Sequence, residues 1–409
     1  MTTDVTENPG HKIVDVTTTD CCIVGGGPGG AVLALLLARQ GVSVILLEAH
    51  KDFDRDFRGD TIHPSVMEIM EELDLSDRLL QLPHAKMHSL RIRTPEDTVT
   101  LADFSHLKTR YPYITMMPQV KFLEFIIQEA EKYPNFHLIM GANVQELIAE
   151  NNVIQGVRYR RGGWHEVRAV LTVGADGRHS RLRQLGGFES IQTSPPMDVL
   201  WFRLPHQPED PEGGIGNLAQ GRIVAMLDRG DQWQLAYVIP KGGYQQIRAA
   251  GLEEFKKSVV EVVPSLGERI EHLQDWSQVF FLSVEASYVK RWYRPGVLLI
   301  GDAAHIMSPV GGVGINYAIQ DAVVAANILS QPLKNQHIEL SDLAKVQRQR
   351  ELPTRIIQGF QTLIQKRVLA PVLKSQQTFQ PPVWLRLPIL RDIPGRLIGL
   401  GIFPVHVQT

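Results

Sequence analysis

At 409 residues the chain is longer than one hydrophobic core supports, since single cores stop growing at about 250 to 300 residues, and it fits two interlocked domains with an appendage. Its 42 Lys and Arg nearly balance 44 Asp and Glu, a formal charge of −2 that supplies no field for nucleic acid or an anionic surface. The two cysteines are the neighbours Cys21 and Cys22, which an extended backbone points to opposite faces; this excludes a disulfide framework or cysteine metal site and suits a reducing, cytoplasmic compartment.

Residues 1–17 read as a disordered tail, polar and Thr-rich, with neither a basic n-region nor an apolar h-region. No run reaches the roughly 18 apolar residues that a membrane span requires. The stretch Asp20-Cys21-Cys22-Ile23-Val24 then reads as a buried strand entering Gly25-Gly26-Gly27-Pro28-Gly29-Gly30 and an apolar helix, Ala31 to Arg39. Glycines at 25, 27 and 30 have the G-x-G-x-x-G spacing: Gly25 for the sharp turn, Gly27 for approach of a pyrophosphate to the backbone, Gly30 for close helix packing. Gly41 closes the helix, and Val42 to Glu48 reads as the next parallel strand, ending in an acid placed for ribose hydroxyls. Glu48 would repel a 2′-phosphate, so FAD or NAD fits this crevice better than NADP.

Past Glu48 the chain is charged and irregular through Arg55 and Arg58. Arg58 reads either as a fork donor to the pyrophosphate or as a solvated surface arginine. Pro64 opens an amphipathic helix with Val66, Ile69, Met70 and Leu73 on one stripe. Leu90 to Leu101 alternates about a Pro95-Glu96-Asp97 turn and reads as a hairpin. A helix with Val120, Leu123, Ile127 and Ala130 and the strand Phe136 to Met140 return to the nucleotide domain. A second hairpin, Val153 to Arg160 and Glu166 to Val173, leads into Gly174-Ala175-Asp176-Gly177.

From Gly187 to about Trp292 the runs Asp198 to Leu204, Arg222 to Asp228 and Gln232 to Ile239 read as an antiparallel sheet, followed by a helix over Leu252 to Val263. Met226, Trp233, Tyr237 and one of Trp201 or Phe202 are candidates to line a pocket, with simple sheet core as the competing reading. The apolar strand Val297 to Ile300 ends in Gly301-Asp302, and Pro309 to Asn316 forms a second glycine-rich helix entry, again electropositive. His63 and His305 flank this region and read as structural hydrogen-bonding histidines rather than acids or bases. Beyond Ser330, Leu340 to Val372 reads as one or two amphipathic helices with Pro353 at a kink or boundary. Pro381 to Phe403, apolar with interspersed arginines, reads as docked on the protein or across a dimer, with a peripheral membrane contact or a lipophilic gate as the alternative.

Three motifs thus stand in order: Gly25 to Gly30 with Glu48, Asp176-Gly177, and Gly301-Asp302 followed by Pro309 and Gly311-Gly312-Val313-Gly314. Together, over about residues 18–330, they resemble the FAD-dependent aromatic hydroxylase superfamily whose type member is para-hydroxybenzoate hydroxylase. The resemblance implies an α/β fold: a Rossmann-like FAD-binding domain interleaved with an antiparallel-sheet substrate domain, followed here by a C-terminal helical extension. On that reading 18–186 and 293–330 form the FAD domain, a hairpin at about 88–105 joins the substrate domain at 187–292, and 331–409 is the extension.

By the same resemblance Gly25, Gly27, Pro28, Gly29, Gly30 and Arg58 serve the pyrophosphate and Glu48 the ribose. Val144 lies at the adenine side, Gln119 and Gly301-Asp302 at the ribityl chain, and Asp176 acts through neighbouring arginines. Pro309, Gly311, Gly312, Gly314, Ile315 and Asn316 pass beside the isoalloxazine. The implied reaction takes electrons from NADH or NADPH, docked only transiently, and inserts one atom of molecular oxygen into an aromatic or lipophilic small molecule through a flavin C4a-hydroperoxide. No protein side chain is assigned as catalytic and no metal is implied. Val313 stands where many relatives carry a longer polar residue. A flavin-dependent reductase of an isoprenoid, resembling geranylgeranyl reductases, is the alternative. A halogenase fits less well, because Leu235-Ala236-Tyr237-Val238-Ile239-Pro240 lacks that motif's tryptophans.

Overall fold

The computed structural model describes residues 12–54, 59–211, 213–374 and 388–408. Continuous apolar runs build its central sheet. Trp164–Gly174, Ile13–Val24, Val44–Glu48 and Phe136–Met140 lie side by side in parallel, with Val297–Leu299 added beyond Trp164–Gly174. Such strands are buried on both faces and need helices on each. The helix Pro28–Arg39 is buried from Gly29 to Ala38 because it is sandwiched, packing on Gly314–Lys334 and Gln119–Ala130 as well as on the sheet.

The first strand begins at Ile13 and is paired through Val16↔Glu166 and Thr17↔Val167, so residues 13–17 are strand rather than tail. The long strand Trp164–Gly174 supplies the reason, an extended backbone edge whose N–H and C=O groups need a partner. Cys21 and Cys22 are free and fully buried. Burial pushes the Cys22 thiol up to about 12 and the Cys21 thiol up as well, which leaves neither reactive.

A second, seven-stranded sheet runs in the order Phe280–Leu282, Met197–Pro205, Gln232–Pro240, Arg222–Asp228, Gly214–Ala219, Ser89–Arg93, Thr98–Asp103. The early hairpin thus forms its far edge, joined in parallel register to Gly214–Ala219. One face packs on the helix Leu252–Val262 in a core around Phe255. The other faces the first domain.

The C-terminal helix runs from Leu340 to Ile364 as one helix with Pro353 inside it, so of the two alternatives, kink or boundary, the boundary is excluded, and it continues through a π turn, Gln365–Leu369, into Ala370–Lys374. The last helix, Pro388–Gly399, lies on the strand Thr98–Asp103. A side chain at Gly395 would stand 2.2 Å from the Asp103 carbonyl, so only glycine permits that approach. Val407 and Gln408 bond Glu72 and Asn327, so the described part of the terminus docks on its own chain. No helix among the described residues is long and apolar enough to cross a membrane.

Candidate functional site

The fingerprint turn is built by steric necessity. Gly25 takes φ +105, and a Cβ there would lie 2.4 Å from the Ala175 carbonyl oxygen; one at Gly30 would lie 2.0 Å from the Gly25 oxygen. Gly27 is different: its φ is ordinary and nothing stands within 4 Å of its missing Cβ. The first two glycines therefore close the protein on itself, while the third keeps an outward space clear. Pro28 occupies the first turn of a helix that has no side-chain cap, leaving its N–H groups for an anion.

The second glycine turn meets the first through Ala318, one turn into the helix Gly314–Lys334. Ala318 lies against Gly29 and against Gly301, at 3.0 Å or slightly more from where each Cβ would be. This second helix also begins without a side-chain cap, and the space at Gly314 is open within 4 Å. Two bare helix N-termini thus converge at the carboxyl ends of the parallel strands, where α/β folds bind ligands. The donor set and the cleared glycine positions fit a dinucleotide whose diphosphate and ring ends are held at separate turns.

Glu48 ends its strand buried. One oxygen accepts from the Gly26 N–H at 2.8 Å, the other from the backbone and Nδ1 of His50 at 2.9 and 2.8 Å. Val144 follows nearby, two residues after Ala142, whose N–H bonds the Glu48 carbonyl. Asp176 accepts from Ser180 Oγ at 2.5 Å and from the Leu182 N–H at 3.0 Å; burial raises its carboxyl above the ordinary range. Arg183, from the same segment, donates to the carbonyls of Asp302 and Ala303 at 3.3 and 3.1 Å. Asp176 and Arg183 share Ser180, whose Oγ donates to the carboxylate and accepts from the Arg183 N–H. Arg58 lies outside the described residues.

The loop before the second helix is gripped by the short strand Thr61–Ile62. Gly311 and Gly312 take φ +79 and +64, Thr61 Oγ1 donates to the Gly312 carbonyl at 2.8 Å, and Ile315 packs on Gly59. Asn316 accepts from the His63 N–H and donates to Thr61 and Gly312 carbonyls, so its side chain is committed to the loop. Val313 is buried in an apolar cluster with Tyr317 and Ile398. Gln119 opens its helix, its N–H 3.3 Å from an Asp60 oxygen.

His63 is fully buried, and burial holds its imidazole down at about 4. It is neutral at pH 7, so Nδ1 carries the proton it gives the Ile398 carbonyl at 2.7 Å. Because the folded value lies below the unfolded one of about 6.5, the unfolded chain binds the extra proton first on acidification, and stability falls as pH drops from about 6.5 to 4. His63 is expected to account for about 2 kcal/mol lost between pH 7 and 4.5. Urea unfolding of His63→Asn at both pH values should show an acid loss smaller by that amount; an unchanged loss would contradict the assignment.

Sequence periodicity leaves open which face of the second sheet looks at this loop, and the structure corrects the candidates. Met226, Trp233, Tyr237 and Phe202 all point to the Phe255 core, with Phe202 and Tyr237 edge-on to that ring. Trp201 takes the opposite face, in a cluster with Ala225, Ala236 and Val310 of the loop. Beside them Gln234 accepts from Arg229, and Arg229 pairs with Asp60 at 2.6 Å, both side chains buried. That bridge between the sheet and the start of the strand Thr61–Ile62 carries no local sequence signature. A cavity of about 490 Å³ lined by Thr18, Val153, Arg168 and Gln336 sits towards the amino ends of the parallel strands, away from both glycine turns. Among the described residues no cluster of His, Cys, Asp and Glu could hold a metal ion.

A family model described as an FAD binding domain matches residues 18–352. The chain is 32% identical over 374 residues to the 6-methylpretetramide 4-monooxygenase of Streptomyces rimosus, covering 89% of this chain and 88% of the relative. In fold it is similar to pqsL, a probable FAD-dependent monooxygenase from Pseudomonas aeruginosa, with a TM-score of 0.75 at 22% identity over 88% of this chain and 100% of that one. It is also similar to the OxyS anhydrotetracycline hydroxylase from Streptomyces rimosus, with a TM-score of 0.73 at 21% identity over 94% of this chain and 76% of that one. With the glycine cradle, the Gly-Asp turn and the interleaved sheet all in place, the chain belongs to the FAD-binding monooxygenases of the para-hydroxybenzoate hydroxylase type and is an FAD-dependent enzyme.

Proposed function

We propose that this enzyme hydroxylates a flat, apolar, multi-ring small molecule, with NADH or NADPH as electron donor and molecular oxygen as the source of the inserted atom. The observation that carries the substrate class is a row of side chains on the sheet face turned to the glycine loop. Trp201, Ala236, Ala225 and Gly216 are register partners across four adjacent strands. Three small residues in succession, on strands about 4.8 Å apart, bring little side-chain bulk to about 10 Å of that face, with Trp201 at one end. Val199, Val238 and Ile223 border this row on one side. Leu369 and Leu373 of the C-terminal extension join the same apolar cluster as Val310. Such a surface excludes water and favours planar rings. The Streptomyces rimosus relative, named for a reaction on 6-methylpretetramide, supports a substrate of that kind.

The bound flavin supplies electron transfer and oxygen activation. The chain's own contribution is placement. The open N-terminus at Gly314 favours negative charge developing beside it by on the order of 1 kcal/mol, and the Asp60–Arg229 bridge holds the sheet over the loop. Mass spectrometry of product formed from hydroxylated naphthalenes and naphthacenes under ¹⁸O₂ tests the reading. Incorporation of one labelled atom, with oxygen-dependent consumption of NADH or NADPH, is expected. Equal turnover without oxygen would assign the chain to the reductases instead.

A further inference from the structure

The long helix Leu340–Ile364 and its π turn carry polar residues where a packing helix would carry leucine. Gln347, Arg350, Thr354, Gln358, Gln361 and Gln365 recur every three or four residues along one face, and all but the half-buried Gln358 are at most 8% exposed. Burying an amide costs free energy unless each donor finds a partner. The four glutamines do find them, whereas Thr354 Oγ1 and the Arg350 Nη atoms have none among the described residues, and the glutamines' partners have a pattern.

Gln361 Nε2 donates to the carbonyls of Ser308 and Val310, 2.8 Å each, on either side of Pro309. Gln365 Nε2 donates to Ser308 Oγ at 2.6 Å. Gln358 Nε2 donates to Ile306 at 3.1 Å and to Ser287 at 3.0 Å. The alternate carbonyls at 306, 308 and 310 are therefore tied to the C-terminal helix, while Thr61 holds 312 from the other side. The loop has little to hold itself: Pro309 lacks an N–H, and Gly311 and Gly312 bring no side chains and sit at positive φ. The helix itself changes to a π turn at Gln365, a departure often found at functional sites.

We propose that Gln361, assisted by Gln358 and Gln365, is a positioning residue for the flavin ring, so that the C-terminal helix is part of the cofactor site. The proposal rests on the reading that the loop from Pro309 to Gly314 passes beside the isoalloxazine. Gln361 acts through the loop, setting the height of Ser308 to Val310 against the ring.

Gln347 provides the control. It is a buried amide on the same face, and it also satisfies two backbone groups, accepting from the Trp292 N–H at 2.9 Å and donating to the Lys290 carbonyl at 2.9 Å, but it does not touch the loop. Gln361→Leu, Gln361→Glu and Gln347→Leu are compared by urea unfolding of the apoprotein, FAD titration and the visible spectrum of the bound flavin. All three should lower apoprotein stability. Only the two position-361 variants should weaken FAD at least fivefold and shift the flavin absorption band, with Gln361→Glu, which replaces donor by acceptor at the same size, shifting it most. Equal FAD affinity and spectrum for Gln361→Leu and Gln347→Leu overturns the proposal. Gly314→Ala separates the underlying reading: if it leaves the flavin spectrum unchanged, the loop does not meet the ring and both fall, whereas a shift there with none at 361 removes the proposal alone.

Discussion

Gly25→Ala is expected to lose about 3 kcal/mol or more of stability together with FAD binding, whereas Gly27→Ala, two residues on, should keep the fold and lose the cofactor. The difference lies in what each missing Cβ would meet. At Gly25 the new atom would be 2.4 Å from the Ala175 oxygen, 2.6 Å from its carbonyl carbon and 2.7 Å from the Asp176 Cα. All are backbone, so no rotamer relieves the clash, and the +105 φ adds strain of about 1–3 kcal/mol for a side-chain-bearing residue. Both neighbouring strands fix that backbone, through Gly25 N–H to Leu47 and Ala175 N–H to Val24, each 2.8 Å. At Gly27 the backbone is ordinary and the space is free of protein. The cost to folding should stay at about 1 kcal/mol, the preference for glycine over alanine at a helix N-cap. The same methyl would occupy the approach of the diphosphate, and FAD affinity should fall at least tenfold. Thermal unfolding and FAD titration of both variants check this; a Gly27→Ala protein that binds FAD as tightly as the parent would displace the diphosphate from this turn.

Those glycines are legible in sequence because each answers a local demand: a turn, a close approach, a cleared space. The same holds for Gly301-Asp302 and for the hairpins, whose alternation and turn residues lie within a dozen positions of one another. Legibility fails where the decisive neighbour is remote. Strand alternation requires Trp201 and Phe202 to point apart, yet which of them meets the loop depends on where the helix Leu252–Val262 lands, and it lands on Phe202. Asp60 and Arg229 lie on different domains, and nothing near either announces the other. Gln358, Gln361 and Gln365 do repeat at helical spacing, a visible signal of a polar face, but only the fold shows that this face is buried and which carbonyls it holds.

The other large effect is expected at Asp321, the fully buried centre of a charge cluster beneath the Gly-Asp turn. One of its oxygens accepts from the Gly301 N–H at 3.0 Å and from His305 Nε2 at 2.6 Å; the other accepts from Arg350 Nε at 2.8 Å. Burial alone would raise this carboxyl, but His305 and Arg350 together outweigh it and hold the group below the ordinary carboxylate range. Its contribution is thus fully present above the unfolded value of about 3.9 and is lost only as pH falls through the depressed folded value. Asp321→Asn removes the charge while keeping the shape, and leaves the Arg350 guanidinium, 1% exposed, without its counterion. Stranding a buried charge in this way costs about 3–5 kcal/mol. The face of the Tyr317 ring, 5.3 Å from the guanidinium carbon, offsets only part of that. Arg350→Met should cost a similar amount by stranding the carboxylate with His305 alone. The double variant should cost clearly less than the two singles added, because no unpaired charge remains, so a urea-unfolding double-mutant cycle at pH 7 should give a coupling of at least about 1 kcal/mol. FAD affinity should drop in Asp321→Asn, since a single amide oxygen cannot accept on both sides as the carboxylate does, and one of those sides holds the Gly301 N–H of the turn that carries Asp302. Strictly additive losses would show that the pair is not what holds this turn.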